Sequence, residues 1–219
     1  MAPYPELQSD DPAWPGLEAA IRASGRATVL PREPGSARAC LERLQVSTRS
    51  TLGAIAHETG GILVDRGWLR LLGSGSARLP RALATWNDEL AIPLTHFLLV
   101  GDDVVGGSFS INSGGLGRTR HVFYFAPDSL AWEDTGLGHS EFVHWALTGD
   151  LETFYATMRW PGWPTEVEPL AGDQAISLQP PPWTVEGRDK SAVSRRPVPA
   201  RELWLMQQEI RAQLDAAGH

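Results

Sequence analysis

The stretch that decides the fold runs from His96 to Asp134 and reads HFLLVGDDVVGGSFSINSGGLGRTRHVFYFAPDSLAWED. Short apolar runs in it are separated by glycine and acidic residues, a pattern typical of antiparallel strands joined by turns. The pattern predicts three strands and a short fourth run. They lie at His96–Val100, Gly107–Asn112, His121–Ala126 and Leu130–Glu133.

The side-chain pattern differs among these strands. In Gly107–Asn112, polar residues alternate with Phe109 and Ile111, which predicts one polar face and one core face. The run His121–Phe125 is apolar on both faces and is therefore expected more centrally in the sheet. We expect the first strand to end in a turn at Gly101-Asp102-Asp103.

Helical spacing of apolar residues on both sides of this meander predicts helices that pack against it. The expected helices are Pro15–Ala23, ARACLERLQV after Ser36, STLGAIAHE from Ser50, a short one near Leu79–Asn87, EFVHWAL after Ser140, LETFYATMR after Asp150, and Ala200 to about Ala216. Between them, ILVDRGWLRLLG predicts two strands around a turn at Asp65-Arg66-Gly67.

Two proline-rich segments, 1–15 and 160–199, are expected to be irregular. In the second, Trp160, Trp163 and Trp183 predict an ordered wrap held by large side chains. The chain as a whole is thus expected to be one α+β domain with a mostly antiparallel sheet flanked by helices, and a mixed sheet stays open as an alternative. Its expected parts are an N-terminal helical arm (1–49), an α+β core (50–158), and a loop-rich wrap with a terminal helix (159–219).

Composition excludes several classes of function. The 219 residues carry a net charge of −7, which argues against binding a nucleic-acid backbone. No run approaches the roughly 18 apolar residues of a membrane span, and the N-terminus does not resemble a signal peptide. We therefore expect a soluble, cytoplasmic protein. The single cysteine, Cys40, allows no internal disulfide and is interpreted as a packed helix residue.

The charge is unevenly distributed along the chain. Between Asp128 and Asp173 there are nine carboxylates and one base, Arg159, a net charge of −8. An acidic surface of this kind can steer a basic partner toward the protein. The alternative is a solvated surface that keeps the protein soluble.

Motifs for catalysis or metal binding are not found in the sequence. His57-Glu58 begins like a zinc-protease helix, but Gly61 stands where the second histidine is needed. The six histidines show no metal-ligand spacing, and the glycine-rich runs at Gly73 and Ser113 lack the lysine of a phosphate-binding loop. We predict no catalytic residues, no metal site and no cofactor.

The sequence contains two pairs of adjacent carboxylates, Asp102-Asp103 and Glu133-Asp134. The two side chains of each pair point to opposite faces of a strand, so neither pair suits acid–base catalysis. They are interpreted as turn residues or as parts of an acidic recognition surface. Five tryptophans are candidates for a binding groove or for sealing the sheet against its helices: Trp132, Trp145, Trp160, Trp163 and Trp183. The predicted partner-binding residues are Asp102, Asp103, Trp132, Glu133, Asp134 and Glu141.

Several of these motifs resemble known families. Gly101-Asp102-Asp103, Gly106-Gly107, Val122–Phe125, Trp132 and the helix Phe142–Leu147 resemble the SUKH superfamily over about residues 50–158. The stretches TLGAIAHETGGILVDRGWLRLLGSGS and RWPGWPTEV…PPPWTVEG resemble an uncharacterised bacterial family, catalogued as a domain of unknown function, over nearly the whole chain. The SUKH resemblance implies an α+β domain of immunity proteins that bind and block a toxin. The N-terminal arm and the Trp/Pro-rich C-terminal third depart from that pattern.

The sequence therefore favours a non-catalytic cytoplasmic binding protein, in particular a SUKH-like immunity protein whose acidic surface covers a basic protein toxin. The alternative is a small-ligand-binding protein, or an enzyme of unknown reaction, with a pocket between the meander and the segment 160–183. A third reading is a homodimer that buries exposed aromatic side chains against a second copy.

Overall fold

One seven-stranded antiparallel sheet lies at the centre of the protein, and its strands lie side by side in sequence order. The computed structural model describes residues 1–190 and 192–217. The strands are β1 (Ala27–Leu30), β2 (Gly61–Val64), β3 (Leu69–Leu72), β4 (Phe97–Asp103), β5 (Ser108–Asn112), β6 (His121–Ala126) and β7 (Ala131–Gly138). The predicted α+β class and antiparallel meander are confirmed, and the sheet is not mixed.

Helices flank this sheet. They are α1 (Tyr4–Leu7), α2 (Trp14–Ser24), α3 (Ser36–Leu44), α4 (Thr51–Glu58), α5 (Leu83–Glu89), α6 (His139–Thr148), α7 (Leu151–Phe154), α8 (Trp163–Val167) and α9 (Ala200–Ala217). Ser50 caps α4 by accepting a hydrogen bond from the Gly53 amide at 3.0 Å. The segment after Asp150 was predicted as a nine-residue helix, but only its first four residues are helical.

The first turn of the meander lies later than predicted. β4 continues through Asp103, so Gly101-Asp102-Asp103 is strand and not turn. The chain reverses after it, and Gly106 takes a φ of 96° that favours glycine. A side chain at Gly107 would clash with the Asp103 carboxylate and the Tyr124 hydroxyl. Gly106 is therefore favoured by its backbone conformation, and Gly107 is required by close packing around the buried Asp103.

The polar face of β5 is not exposed. Ser108, Ser110 and Asn112 are all buried, although their alternation with Phe109 and Ile111 predicted a polar side. Alternation distinguishes the two faces of a strand, but it does not reveal that helices cover both of them. Both faces of β6 are buried at Val122, Phe123, Tyr124 and Phe125. The prediction that β6 lies centrally in the sheet is wrong, because it is next to the edge strand β7, and its burial comes from the helices that cover both faces.

Both ends of the chain contain strands that the sequence did not predict. Ala27–Leu30 lies within the predicted helical arm, yet it pairs with β2 as the first strand of the sheet. The expectation of an irregular 160–199 segment is wrong, because β8 (Gln174–Gln179) and β9 (Ser194–Pro199) form a two-stranded antiparallel hairpin. Proline in β9 hides this strand from sequence reasoning, since proline is tolerated only at the edges of sheets.

The sheet has two covered faces, named here after the helices that pack on them. On the α6 face, Phe142 of α6 lies 4.6 Å from Phe109, measured between ring centroids. On the α9 face, Trp204 of α9 lies 5.7 Å from Phe125. Phe125 and Tyr124 are neighbours on β6 and so project to opposite faces. The two faces hold very different chemistry.

Candidate functional site

Asp102 lies in a buried ion-pair network on the α9 face. Arg70 Nε donates to Asp102 Oδ1 at 2.6 Å, and the Arg81 guanidinium donates to both carboxylate oxygens. Burial raises the pKa of Asp102, but the two guanidinium groups outweigh it and hold the pKa below its usual value. The carboxylate therefore stays ionised between its two partners.

The same two arginines attach the C-terminal part of the chain to the sheet. Arg70 also donates to the carbonyl of Gln174 at 2.6 Å, and Arg81 donates to the carbonyl of Gly172 at 2.7 Å. Both carbonyls belong to the segment that leads into and begins β8. The network thus holds together parts of the chain that are far apart in sequence.

Asp103 projects to the α6 face, where it is completely buried. It accepts hydrogen bonds from the Tyr124 hydroxyl at 2.8 Å and from the amides of Val105 and Gly107 at 3.0 and 2.9 Å. Burial raises the pKa of Asp103 to about 6, against the effect of these donors. Asp103 therefore fixes the turn after β4 and the position of Tyr124.

These contacts correct the prediction that Asp102 and Asp103 belong to an exposed acidic surface. Their exposures are 8% and 0%, so a protein partner cannot reach them in this fold. The inference that adjacent acids point to opposite faces is confirmed, because the two carboxylates have entirely different partners. Each has at least one partner from a distant part of the chain, Arg70 and Arg81 for Asp102 and Tyr124 for Asp103, which the sequence alone does not show.

The other predicted partner-binding residues lie at or next to the edge strand β7, but not on one surface. Trp132 is half-buried against Phe97 and Trp204 on the α9 face. Glu133 is exposed and pairs across the strands with Tyr124 on the α6 face. Asp134 is exposed and lies 2.9 Å from His121 Nδ1. Glu141 accepts from the Gly138 amide at 2.8 Å and stabilises the start of α6.

A cavity of about 390 Å³ opens on the α6 face, beside β7. We call it the aromatic pocket. Its lining residues come from β5, β6, β7, α6 and α7, and they are Phe109, Tyr124, Glu133, Asp134, Thr135, Leu137, Phe142, Trp145 and Phe154. Phe109 and Phe142 are fully buried beneath it, whereas Trp145 is half-buried and Phe154 is 38% exposed. The pocket thus has a packed aromatic floor and walls that solvent reaches.

The rings of the aromatic pocket hold one another in place. Phe154 contacts Trp145 at 4.9 Å and Tyr124 at 5.2 Å, both edge to face. Tyr124 in turn stacks on Phe109 at 4.7 Å while its hydroxyl is held by Asp103. Such arrangements add roughly 0.5–1.5 kcal/mol per pair to the hydrophobic burial. The pocket is therefore formed without a ligand.

The sequence predicted only part of this site. Trp145 and Glu133 were candidates for a groove and for an acidic surface, but Phe109, Tyr124, Phe142 and Phe154 were interpreted as core. The available signal was that Phe142, Trp145 and Phe154 lie in the two helices that follow the edge strand. Amphipathic spacing does not distinguish a helix face that is sealed from one that leaves a cavity.

Among the described residues, the voids found between the meander and residues 160–183 are small, which does not favour the pocket expected there. The void that meander residues share with Ala175 measures about 20 Å³, roughly the space of one water molecule. The Arg70–Asp102–Arg81 network, Trp86 and Trp204 fill that region. A second, open cavity of about 810 Å³ lies beside Trp160 and Trp163, but loops and helix ends line it, with no residue of the meander.

The tryptophans of the C-terminal segment pack within the chain. Trp160 is buried, and Trp163 meets Trp68 edge to face at 5.1 Å. The Arg159 guanidinium lies 4.4 Å from the Trp163 ring and pairs with Asp65. The expectation of an ordered wrap held by large side chains is confirmed for this part of the segment. These rings pack against the core, and Trp160 and Trp163 also line the open cavity of about 810 Å³.

The acidic stretch 128–173 is partly neutralised by bases from elsewhere in the chain. Glu166 pairs with Arg195 at 3.1 Å, and Glu168 pairs with Arg66. A charge counted along the sequence therefore exceeds the charge that the folded surface presents. Glu133 and Asp134, on β7, remain exposed.

The remaining candidates have structural contacts. His57 Nδ1 lies 2.6 Å from Glu58 and its Nε2 lies 2.9 Å from the Tyr4 hydroxyl, so this pair bonds locally as predicted. Cys40 is buried, and burial raises the pKa of its thiol to about 11. Among the described residues, no three His, Cys, Asp or Glu side chains are grouped to hold a metal ion. His219 lies outside the described residues.

Comparison with known families identifies the relatives of this chain. The model of the family described as "protein of unknown function DUF2625" matches residues 6–203. The chain belongs to this family. No solved structure matches it significantly. The predicted resemblance to an uncharacterised bacterial family is thus confirmed, whereas these comparisons do not show the kinship with SUKH proteins.

Two relatives are similar to the chain over most of their length. The uncharacterised protein YbfG of Escherichia coli K12 is 38% identical over 207 residues, which cover 94% of each chain. An uncharacterised protein of Haemophilus influenzae is 38% identical over 174 residues, 77% of this chain and 76% of its own. Neither name states an activity. Within residues 1–190 and 192–217, no helix is long and apolar enough to cross a membrane.

Proposed function

We propose that this member of the DUF2625 family is a non-catalytic binding protein for a small molecule, and that the aromatic pocket is its binding site. The observation that carries the proposal is the pocket itself. Aromatic side chains from two strands and two helices surround about 390 Å³, with a few polar groups at one rim. Binding sites for small molecules are typically concave, mostly apolar and preformed, with volumes of about 300–1,000 Å³.

The exposed position of Phe154 supports this proposal. A large aromatic side chain that is 38% exposed next to a cavity leaves apolar surface in water. Exposed apolar surface beside a concave site often marks a ligand-binding groove. The buried hydrogen bond from Tyr124 to Asp103 keeps the floor of the pocket rigid, so little ordering is needed when a ligand enters.

The test uses N-phenyl-1-naphthylamine, a neutral apolar fluorophore whose emission rises in apolar sites. We expect a saturable rise with the wild-type protein. Leu137→Trp should abolish it, because the larger side chain fills the cavity that Leu137 lines. Leu205→Ala, at an exposed apolar residue of α9, is the control and should bind as the wild type does. Equal binding by Leu137→Trp, or no saturable binding by the wild type, would overturn the proposal.

The second candidate function is the toxin-immunity role, in which the acidic edge of the sheet binds a basic protein. It is favoured by the position of β7, which ends the sheet and carries Glu133 and Asp134 exposed. An unpaired edge strand can accept a further strand from a partner, and its charge can select a basic one.

A pull-down from the native organism at low and high salt tests this second function. We expect a basic partner at low salt that is lost at high salt, because exposed charges are screened. Glu133→Lys with Asp134→Lys should abolish capture, whereas Glu6→Lys on α1 should not. Capture that persists in the double variant and at high salt would exclude the acidic edge as the binding surface.

A further inference from the structure

The aromatic pocket carries charge of one sign. Among the described residues that line it, Glu133 and Asp134 are acidic and no lysine or arginine is present. Glu133 is exposed on β7 on the side of the pocket, whereas Asp134 pairs across the strands with Phe123, which projects to the opposite face of the sheet from Tyr124. An anionic ligand would meet the Glu133 carboxylate without a counter-charge from the lining residues, which disfavours it.

The carboxylates of Asp134 and Glu133 differ in the hydrogen bonds that they already accept. Asp134 accepts from the Gly136 amide at 2.8 Å and lies 2.9 Å from His121 Nδ1. Glu133 has a hydrogen bond of 3.4 Å from the Ser129 hydroxyl, near the limit of such a contact. Glu133 is therefore the carboxylate that is better able to accept a new partner.

Glu133 also projects from the correct side of the strand. Its cross-strand partner is Tyr124, whose ring lines the pocket and contacts Phe154. Residues directly opposite each other on an antiparallel pair project to the same face of the sheet. The carboxylate of Glu133 thus stands on the α6 face, next to the rings of Tyr124 and Phe154.

We infer that the ligand of the aromatic pocket is a small organic cation, an alkyl- or aryl-substituted ammonium, recognised by the aromatic rings and by Glu133. Aromatic rings attract a cation that lies within about 6 Å of their centroids. Glu133 supplies the opposite charge at the rim, while the apolar substituents of the ligand occupy the pocket. The inference rests on the proposed small-molecule function and adds the chemical class of the ligand.

The experiment compares two ligands of the same shape that differ in charge. Phenyltrimethylammonium and tert-butylbenzene are titrated separately against protein that holds N-phenyl-1-naphthylamine, and the displacement of the fluorophore is measured. We expect the cation to displace it at about tenfold lower concentration, since a desolvated cation over aromatic rings gains roughly 1–2 kcal/mol. Glu133→Gln should weaken the cation about fivefold and leave the neutral ligand unchanged. Glu6→Gln, an equal change of charge on α1, should affect neither.

The outcomes separate this inference from the proposed function. If the fluorophore binds but both ligands displace it equally, the pocket binds small molecules without selecting cations, and the inference is wrong. If Glu133→Gln leaves the cation unaffected or weakens both ligands alike, the role of Glu133 is wrong. If the fluorophore does not bind to the pocket at all, the proposed function fails, and the inference fails with it.

Discussion

The two faces of the central sheet differ in how their polar side chains are paired. On the α9 face, β4 places a charged side chain, Asp102, in the interior and surrounds it with Arg70 and Arg81. On the α6 face, strands β5 and β6 place aromatic rings, and the helices that cover them leave a cavity open. The α9 face pairs its central charge internally, whereas the α6 face leaves apolar surface and a carboxylate available to a ligand.

This difference is the reason that we propose the α6 face as the ligand-binding face. A buried ion pair with all its partners present is matched internally and has little left to offer a ligand. A preformed apolar cavity with an incompletely bonded acid at its rim is the opposite case. The chemical character of a residue in the sequence, acidic or aromatic, did not decide whether its side chain is matched inside the fold. The partners that it meets in the folded structure decided it.

The largest loss of stability is expected when the central carboxylate of the ion-pair network on the α9 face is removed. Asp102→Asn leaves two guanidinium groups buried without a counter-charge, so we expect the free energy of unfolding to fall by about 3–5 kcal/mol in urea denaturation. Glu168→Gln breaks an exposed pair with Arg66 and should change it by at most about 1 kcal/mol. A loss below 1 kcal/mol for Asp102→Asn would show that the network is not essential to the α9 face.

Asp103, the buried acid on the α6 face, should make the stability of the protein depend on pH. The pKa of Asp103 is raised in the folded protein to about 6 from 3.8, so its contribution to stability is complete below pH 4 and is lost as the pH rises through 6. This amounts to about 3 kcal/mol at 1.36 kcal/mol per pKa unit.

Asp103→Asn cannot ionise, so it should gain about that much stability relative to the wild type between pH 4 and pH 7. Urea denaturation of both proteins at the two pH values measures the change, and the exposed Asp11→Asn is the control. A difference between Asp103→Asn and the wild type that is constant across this range would mean that Asp103 titrates normally.

The smallest stability effect is expected at the wall of the aromatic pocket. Phe154 is 38% exposed, so Phe154→Ala should cost about 1–2 kcal/mol, against roughly 3–5 kcal/mol for a fully buried phenylalanine. Phe154→Ala should nevertheless clearly weaken binding of the fluorophore, because the substitution removes a wall of the pocket. Leu205→Ala, similarly exposed on α9, should alter neither quantity by much. If Phe154→Ala destabilises as strongly as a core substitution, the ring belongs to the core and not to a ligand site.

The order of the elements could be predicted well from the sequence, and the reasons are local. Strands β4, β5 and β6 and helices α2, α4 and α9 follow from apolar periodicity and from turn and capping residues within a few positions. β1, β8 and β9 were missed because these strands are short or rich in proline and gain their stability from partners far away in the chain. The apolar face predicted for α9 is buried only near its start, at Leu203, while Leu214 is 55% exposed.

The sequence by itself determined the α+β class, the antiparallel meander and the opposite orientation of neighbouring acids, because these depend on backbone geometry and the two-residue period of strands. Only the tertiary structure decided which acids are buried and which remain in water. Asp102 and Asp103 find arginines and a tyrosine from other elements, whereas Glu133 lies at an unpaired edge. The aromatic pocket likewise depends on the distance between α7 and the sheet. Long-range packing sets that distance, and periodicity within a single segment does not encode it.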